Sequence, residues 1–187
     1  MRAFVTGGTG FIGSRVVKRL RDRGDDVVVL ARSPEKAARL DAEVIQGDLG
    51  DADAIRRGME GCQAAFHIAA DYRVGMAASK RDSMRDSNVR GTERVLDAAA
   101  DAGVDRILYV STINIFGDTN GQTVDETYER DESDGFVSTY DETKYRAHRL
   151  AEERAAQGAP IVIVQPGAVY GPGDRHPGGP KQLAQLG

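Results

Sequence analysis

Short, uniformly apolar runs recur along the chain, and helical patterns of apolar and polar residues fill the intervals between them. Within each run the apolar residues follow one another and do not alternate with polar ones. Because such runs are expected where both faces of a sheet are covered, they predict a parallel sheet. The six predicted strands cover residues 3–5, 27–30, 44–46, 64–68, 107–110 and 161–164.

Helix signals separate the predicted strands. Ser33 followed by Pro34 predicts the start of a short helix over residues 34–40, and Asp51 is the expected N-cap of the next helix. The last predicted helix covers about residues 140–157. Glycines that can adopt a left-handed conformation are expected to end the helices at Gly24, Gly61, Gly103 and Gly158. Strand and helix therefore alternate throughout, which indicates a doubly wound α/β domain.

Composition and charge narrow the class of protein. A chain of 187 residues is long enough for one well-buried domain, and a net charge of −4 argues against a nucleic-acid-binding surface. No apolar run approaches the ~18 residues that a membrane helix needs. The single cysteine, Cys62, cannot form an internal disulfide, which favours a reducing compartment and hence the cytoplasm. His67, His148 and His176 lack metal-ligand spacing, so no metal site is expected.

A glycine-rich segment, TGGTGFIG at residues 6–13, follows the first predicted strand and opens the first predicted helix. Gly7, Gly10 and Gly13 in this segment have the spacing G-x-x-G-x-x-G. Glycine at these points permits a tight turn, a close backbone approach to a pyrophosphate and close packing of helix on strand. The segment therefore predicts dinucleotide binding at the positive end of the helix, with a purely structural turn as the alternative.

The end of the second predicted strand bears on the choice of dinucleotide. An acidic residue there would bond the ribose hydroxyls of NAD, but the sequence reads Leu30-Ala31-Arg32-Ser33. The guanidinium of Arg32 can pair with a 2′-phosphate, and the hydroxyl of Ser33 can add a hydrogen bond. NADP is therefore favoured over NAD; the alternative is that Arg32 is an ordinary exposed arginine.

Two residues suited to acid–base chemistry lie four apart in the last predicted helix. Tyr140 and Lys144, in the segment YDETK, share one helix face. A phenol with a pKa of ~10 is a poor base at neutral pH, and a neighbouring ammonium is expected to lower that pKa. Such a pair can move a proton to or from a hydroxyl while a nicotinamide exchanges hydride. A tyrosine and a lysine on an exposed helix are the structural alternative.

The order of these motifs resembles that of the extended short-chain dehydrogenase/reductase superfamily, which includes NAD(P)-dependent epimerases and dehydratases. The resemblance covers residues 2–174 and is nearest to the dihydroflavonol-reductase-like and sugar-epimerase-like branch. The segments that carry it are TGGTGFIG, Gly47-Asp48-Leu49, His67-Ile68-Ala69-Ala70, Asn88-Val89-Arg90-Gly91-Thr92, Ser111-Thr112 running to Gly117, Tyr140 with Lys144, and QPGAVYGPG at residues 165–173.

The resemblance implies a role for each residue that matches a family motif. The hydroxyl of Thr112 would hold the substrate oxygen, with Ser111 as the alternative. Tyr140 would be the general acid/base, and Lys144 would lower its pKa and hold the nicotinamide ribose. Asn88 is expected to brace the site from the fourth helix. The implied cofactor-binding residues are Gly7, Gly10, Phe11, Ile12, Gly13, Arg32, Ser33, Asp48, Leu49, Ala69, Ala70, Asn88, Tyr140, Lys144, Pro166, Ala168 and Val169.

The same resemblance implies the domain organisation. The expected fold is α/β, a doubly wound parallel Rossmann sheet forming a dinucleotide-binding domain over residues 1–170. Residues 171–187 are expected to begin a substrate region, because family members continue into a mostly C-terminal lobe that this chain largely lacks. The sequence is therefore expected to be either part of a longer protein or a truncated form. The polar loop at residues 113–138 and the pair Tyr72-Arg73 are the expected substrate-facing pieces.

The implied function is that of an oxidoreductase or epimerase. It would transfer hydride at a secondary alcohol or ketone of a nucleotide-sugar-like substrate, with NADP as the cofactor and NAD as the alternative. An NADPH-dependent ketone or aldehyde reductase, a non-catalytic dinucleotide sensor and a scaffold protein are the competing hypotheses. The expected partner is a small-molecule substrate and neither a nucleic acid nor a membrane. A homodimer through the fourth and fifth helices is a further expectation from the family.

Overall fold

Six parallel strands form one sheet in the computed structural model, which describes residues 1–72 and 78–174. The strand order is β3-β2-β1-β4-β5-β6, the order of a dinucleotide-binding Rossmann sheet. The predicted α/β fold is therefore confirmed. The strands are β1 (Arg2–Thr6), β2 (Asp26–Ala31), β3 (Glu43–Gln46), β4 (Ala64–His67), β5 (Arg106–Val110) and β6 (Ile161–Val164).

Helices connect successive strands and lie on both faces of the sheet. Their bounds are α1 (Phe11–Asp22), α2 (Pro34–Ala37), α3 (Ala52–Met59), α4 (Arg81–Arg85), α5 (Gly91–Asp101) and α6 (Thr139–Ala156). Short 3₁₀ turns cover Ala78–Lys80, Ile113–Phe116 and Glu132–Asp134. The glycines expected to end helices all have positive φ: Gly24, Gly61, Gly103 and Gly158.

Side-chain caps start two of these helices, and the cap at Asp51 is the predicted one. The carboxylate of Asp51 accepts the Ala54 N–H at 2.9 Å, and the hydroxyl of Ser138 accepts the Asp141 N–H at 3.1 Å. Ser33 lies at the N-cap position of α2, which begins at Pro34 as predicted. Its hydroxyl makes no capping bond and instead donates to the carboxylate of Glu35 at 2.6 Å, because that charged acceptor lies within reach.

A turn of π-helix, Asp86–Arg90, joins α4 to α5. The sequence predicts a single helix ending at Gly103, and the wider turn interrupts its regular spacing. Such turns are frequent at functional sites because they re-aim side chains. Here the turn carries Asn88, which is only 2% exposed.

Alternate residues of the central strands contribute to two cores. The first lies between the sheet and α3, α5 and α6, and the second lies between the sheet and α1 with α2. The first includes Phe4, Val28, Leu30, Ile55, Val95 and Ala147, and the second includes Ala3, Val5, Val17, Leu20, Val27 and Val29. Burial on both sides explains why the strands read as continuous apolar runs.

The edge strand β6 departs from this pattern. Val162 is 45% exposed and Val164 is 37% exposed, whereas Ile161 and Ile163 pack against the first core. The expectation that every predicted strand has both faces covered is therefore wrong for β6. The strand lies at the end of the sheet, and the described residues cover the face that carries Val162 and Val164 only in part.

The polar loop over residues 113–138 is anchored by a buried ion pair. The guanidinium of Arg130 bonds both carboxylate oxygens of Asp141, at 3.1 and 3.2 Å, and lies 4.4 Å above the Phe136 ring. The Arg130 and Asp141 side chains are 5% and 7% exposed. The pair fixes the loop against the first turn of α6, beside Tyr140.

Candidate active site

The turn between β1 and α1 brings backbone atoms so close together that side chains would not fit. Gly7 has φ of +74°, and a Cβ added to it would lie 2.7 Å from the Ala69 nitrogen. A Cβ on Gly13 would overlap the carbonyl of Gly7. Gly10 begins α1 without a side-chain cap, and the first turn holds no acidic residue. The turn is therefore a cradle of open N–H groups, which fits a pyrophosphate.

A cavity of about 740 Å³ lies along the carboxyl ends of β1 to β4, above this turn. Open α/β sheets place their ligands at this edge. The predicted cofactor residues that line it are Gly7, Gly10, Phe11, Ile12, Gly13, Arg32, Asp48, Leu49, Ala69, Ala70, Ala168 and Val169. The structure thus brings these residues together around one cavity; their contact with a cofactor stays a prediction.

Several residues lining the cavity were not singled out from the sequence. Ser83 and Ser87 lie four apart in the α4 region, a spacing that a helical reading of residues 81–90 would have placed on one face. Asp71 and Asp86 add carboxylates, and Arg94 pairs with Asp86 at 3.0 Å. Other lining residues missed from the sequence are Thr6, Thr9, Gly50, Ile68, Tyr170 and Asp174.

Six of the predicted site residues do not line this cavity: Ser33, Asn88, Thr112, Tyr140, Lys144 and Pro166. Asn88 donates through its amide to the Asp71 carbonyl and to the Thr143 hydroxyl, both at 3.0 Å, and its role at a cofactor site stays a prediction. Its side-chain oxygen accepts the Asp71 N–H at 2.7 Å. With every polar atom of the amide committed, Asn88 ties the loop after β4 to α6.

A series of buried side-chain hydrogen bonds connects Thr92, through His67, to Thr6 at the start of the glycine turn. The Thr92 hydroxyl donates to the Asn88 carbonyl at 2.7 Å, so it accepts from His67 Nε2 at 2.9 Å. His67 Nδ1 then accepts from the Thr6 hydroxyl at 2.8 Å. Burial, and secondarily the charge of Lys144, lowers the pKa of His67 to about 3. The ring is therefore neutral at pH 7 and acts as a fixed brace.

The ammonium of Lys144 is directed at strand β5. Its Nζ donates to the Tyr109 hydroxyl at 3.1 Å and to the Val110 carbonyl at 2.9 Å, and it lies 4.7 Å from the centre of the Tyr109 ring. Burial lowers the pKa of Lys144 to about 7. The lysine therefore joins α6 to the end of β5, two residues before Thr112.

The expected lowering of the Tyr140 pKa is not found. Burial raises the pKa of the Tyr140 phenol, and the neighbouring Tyr72 raises it further. The reason is geometric: both hydrogen bonds of the Lys144 ammonium go to β5, and the Tyr140 ring instead meets the Tyr72 ring edge-on at 4.7 Å. Tyr72 thus lies beside the site, whereas Arg73 lies outside the described residues.

Thr112 and Ser111 follow β5 directly, and their side chains have different surroundings. The Thr112 hydroxyl accepts the Asn114 N–H at 3.3 Å and still carries a hydrogen to donate. The Ser111 hydroxyl lies 3.0 Å from His148 Nδ1, and Ser111 as a whole is 4% exposed. Of the two hydroxyls, Thr112 is therefore the better placed to bond a substrate oxygen.

A family model places the chain among known proteins. The model of the NAD dependent epimerase/dehydratase family matches residues 3–186. The chain belongs to this family, as the sequence motifs indicate.

Relatives in sequence include proteins named as a reductase and as a dehydrogenase. The chain is 38% identical over 178 residues to "Putative dihydroflavonol 4-reductase" of Synechocystis sp., covering 93% of this chain and 51% of that protein. It is 36% identical over 181 residues to 3 beta-hydroxysteroid dehydrogenase/Delta 5-->4-isomerase of Mycobacterium tuberculosis, covering 93% and 48%. The chain thus spans about half the length of these relatives.

Similar solved structures are enzymes of sugar nucleotides with NAD bound. A dTDP-glucose 4,6-dehydratase from Streptomyces venezuelae, with NAD and TYD bound, has a TM-score of 0.82 and 28% identity, covering 100% of this chain and 62% of that one. A UDP-glucose-4-epimerase from Stenotrophomonas maltophila, with bound NAD and formylated UDP-arabinopyranose, has a TM-score of 0.76 and 26% identity, covering 91% and 52%. Together with the family, they support a nicotinamide dinucleotide as the cofactor.

Residues 1–72 and 78–174 contain no candidate for a membrane span or for a metal site. No helix in these ranges is long and apolar enough to cross a membrane. No group of three or more His, Cys, Asp or Glu side chains in the same ranges could hold a metal ion. His176 and residues 175–187 of the predicted substrate region lie outside the described residues.

Proposed function

We propose that the protein is an NAD(P)-dependent oxidoreductase or epimerase that transfers hydride at a secondary alcohol or ketone. One observation carries the proposal: Lys144 joins the helix bearing Tyr140 to the last residue of β5, Val110, two residues before Thr112. A hydroxyl, a phenol and a buried ammonium are thereby held at the carboxyl edge of a sheet that also forms a glycine cradle. A sensor that only bound a dinucleotide would have no need of this triad.

In this proposal each residue of the triad has a stated role. The Thr112 hydroxyl donates a hydrogen bond to the substrate oxygen, and Tyr140 gives or takes the proton at that oxygen. Lys144 holds the two elements together through its bonds to the Tyr109 hydroxyl and the Val110 carbonyl. The bound nicotinamide would supply or accept the hydride. Burial raises the pKa of the Tyr140 phenol, so the phenol is protonated near neutral pH and can donate the proton that ketone reduction requires.

For the cofactor we propose NADP, held by the α1 N-terminus and by Arg32 near the adenosine ribose. Arg32 is exposed and lines the cavity, which leaves its guanidinium accessible to a 2′-phosphate. The carboxylate of Glu35 opposes the preference for NADP in two ways. Its charge repels a 2′-phosphate, and it already accepts the hydrogen bond of the Ser33 hydroxyl. The similar structures named above contain NAD, so the specificity of this chain has to be measured.

Titration of NADPH and NADH fluorescence tests the choice of cofactor. Arg32→Ala should lower the affinity ratio of NADPH to NADH by about tenfold, the loss of one charge-assisted contact. Glu35→Gln is the matched variant and should raise that ratio, because it removes the repelling charge and keeps the shape. An unchanged ratio in Arg32→Ala would refute the assignment of NADP.

Two substrate classes remain within the proposal. The solved neighbours favour a nucleotide-linked sugar, whereas the relatives in sequence favour a plain ketone or aldehyde. Net conversion of NADPH to NADP⁺ during turnover identifies a reductase, and product without net cofactor change identifies an epimerase. The screen should use the protein that carries this chain, with sugar nucleotides and carbonyl compounds as substrates. Assembly as a homodimer is a separate proposal, and sedimentation of the same sample tests it.

A further inference from the structure

A stripe of four polar side chains runs along the face of α6 that meets β5. Tyr140, Lys144, His148 and Glu152 are spaced four residues apart, which places them on one side of the helix. The proposed function uses only Tyr140 and Lys144. His148 lies one helical turn after Lys144 and is 4% exposed. Buried polar groups are normally hydrogen-bonded, so the partners of this ring indicate what it does.

Both ring nitrogens of His148 have partners, and these partners determine the tautomer. Nε2 lies 3.1 Å from a carboxylate oxygen of Glu152, whose other oxygen accepts from Arg149 at 2.8 Å. A carboxylate only accepts hydrogen bonds, so Nε2 carries the hydrogen. Burial lowers the pKa of His148 against the opposing effect of Glu152, which keeps the ring neutral. Nδ1 is consequently an acceptor, and the Ser111 hydroxyl donates to it at 3.0 Å.

This bond lies next to the catalytic threonine. Two backbone hydrogen bonds join the segment after β5 to the segment at the end of β6. The Ser111 N–H donates to the Val164 carbonyl at 2.8 Å, and the Ile113 N–H donates to the Pro166 carbonyl at 3.2 Å. Two side-chain hydrogen bonds join the same segment to α6, one from Lys144 to the Val110 carbonyl and one from Ser111 to His148. Thr112 is therefore positioned by bonds on its neighbours.

We propose that His148 is a positioning residue. By accepting the Ser111 hydroxyl it sets the distance between Thr112, which follows β5, and Tyr140 on α6. Glu152 fixes the tautomer that makes this possible. The catalytic part of the inference rests on the proposed function. The structural part, that the acceptor at Nδ1 holds Thr112 in place, does not.

Two substitutions of the same residue separate the acceptor from the ring itself. His148→Asn places an amide oxygen near Nδ1 and keeps the acceptor for Ser111, whereas His148→Gln places its amide near Nε2 and keeps only the contact with Glu152. A displacement of about 1 Å can cost about a hundredfold in rate, so His148→Gln should lower kcat by about tenfold to a hundredfold with KM little changed. His148→Asn should retain most of kcat.

Ser111→Ala tests the other partner of the same hydrogen bond, since it removes the donor without altering α6. It should reproduce the loss of kcat seen in His148→Gln, and combining the two should add little further loss because both break one bond. Thermal unfolding of each variant identifies any that fails to fold.

NMR spectra of the backbone amide and the methyl group of Thr112 provide a readout that needs no turnover. Both signals should shift in His148→Gln and in Ser111→Ala and stay near their wild-type positions in His148→Asn. The imidazole ¹⁵N spectrum of the wild type should show an unprotonated Nδ1 and a protonated Nε2. Thr112 signals unchanged in His148→Gln, or equally shifted in both His148 variants, would overturn the inference. A wild type without turnover would instead refute the proposed function.

Discussion

Acid should destabilise the protein through one buried ring, that of His67. Its two nitrogens are bonded to the hydroxyls of Thr6 and Thr92, and burial lowers its pKa from 6.5 to about 3. Below about pH 6.5 the His67 ring is protonated in the unfolded chain, whereas in the folded chain it stays neutral down to about pH 3. The contribution of this ring to the free energy of unfolding is therefore fully present above pH 6.5 and is lost as the pH falls. The slope is about 1.4 kcal/mol per pH unit, and the total loss by pH 3 is about 5 kcal/mol.

Urea unfolding of the wild type and of His67→Gln, from about pH 7 to about pH 4.5, measures this effect. The glutamine cannot titrate in this range but can still bond Thr92. The free energy of unfolding should fall more steeply with pH in the wild type, by about 1.4 kcal/mol per unit. Carboxylates contribute equally to both proteins and cancel in the difference, and His148→Asn controls for the other buried histidine. Equal slopes in the wild type and His67→Gln would refute the reasoning.

Three further predictions follow from close contacts. Gly13→Ala should weaken NADPH binding in a fluorescence titration by at least about tenfold, because its Cβ would overlap the Gly7 carbonyl. Gly10→Ala, which meets the same oxygen at 3.2 Å, should lose less, and the reverse order would contradict the cradle. Arg130→Ala should cost about 3–5 kcal/mol in urea unfolding, since it leaves a buried carboxylate without its partner; a cost under about 1 kcal/mol would argue against the ion pair as the anchor of the loop. Tyr109→Phe should lower the Lys144 pKa further in an NMR titration, because the ammonium loses a hydrogen-bond acceptor; an unchanged or higher pKa would contradict the geometry.

The fold was largely predictable because its signals are local. Two-sided burial makes each central strand a continuous apolar run, and the glycines after α1, α3, α5 and α6 mark helix ends wherever the chain must reverse. The glycine turn was predictable for the same reason, since only glycine fits where the Gly13 Cβ would meet the Gly7 carbonyl. Edge strand β6 shows the limit of this reasoning. Its four apolar residues read like a central strand, but what covers a strand depends on its place in the sheet.

The electrostatics of the site could not be predicted from spacing. Tyr140 and Lys144 share a helix face, yet the direction of the ammonium is decided by the hydroxyl and carbonyl that β5 presents to it. Burial then dominates and raises the phenol pKa where the sequence suggested a decrease. The His148 contact with Ser111 joins residues 37 apart in sequence, and no local pattern encodes it.

Transfer of deuterium from NADPH labelled at C4 to a ketone or sugar-nucleotide substrate tests the central claim most directly. The assay compares the wild type of the protein that carries this chain with Tyr140→Phe, which keeps the ring and removes only the proton donor. Labelled product is expected from the wild type, and Tyr140→Phe should form it at least about a hundredfold more slowly, the contribution of a positioned acid. Equal rates of labelling in both proteins, or a wild type that forms neither labelled product nor an epimerised sugar nucleotide from any substrate of either class, would contradict the account.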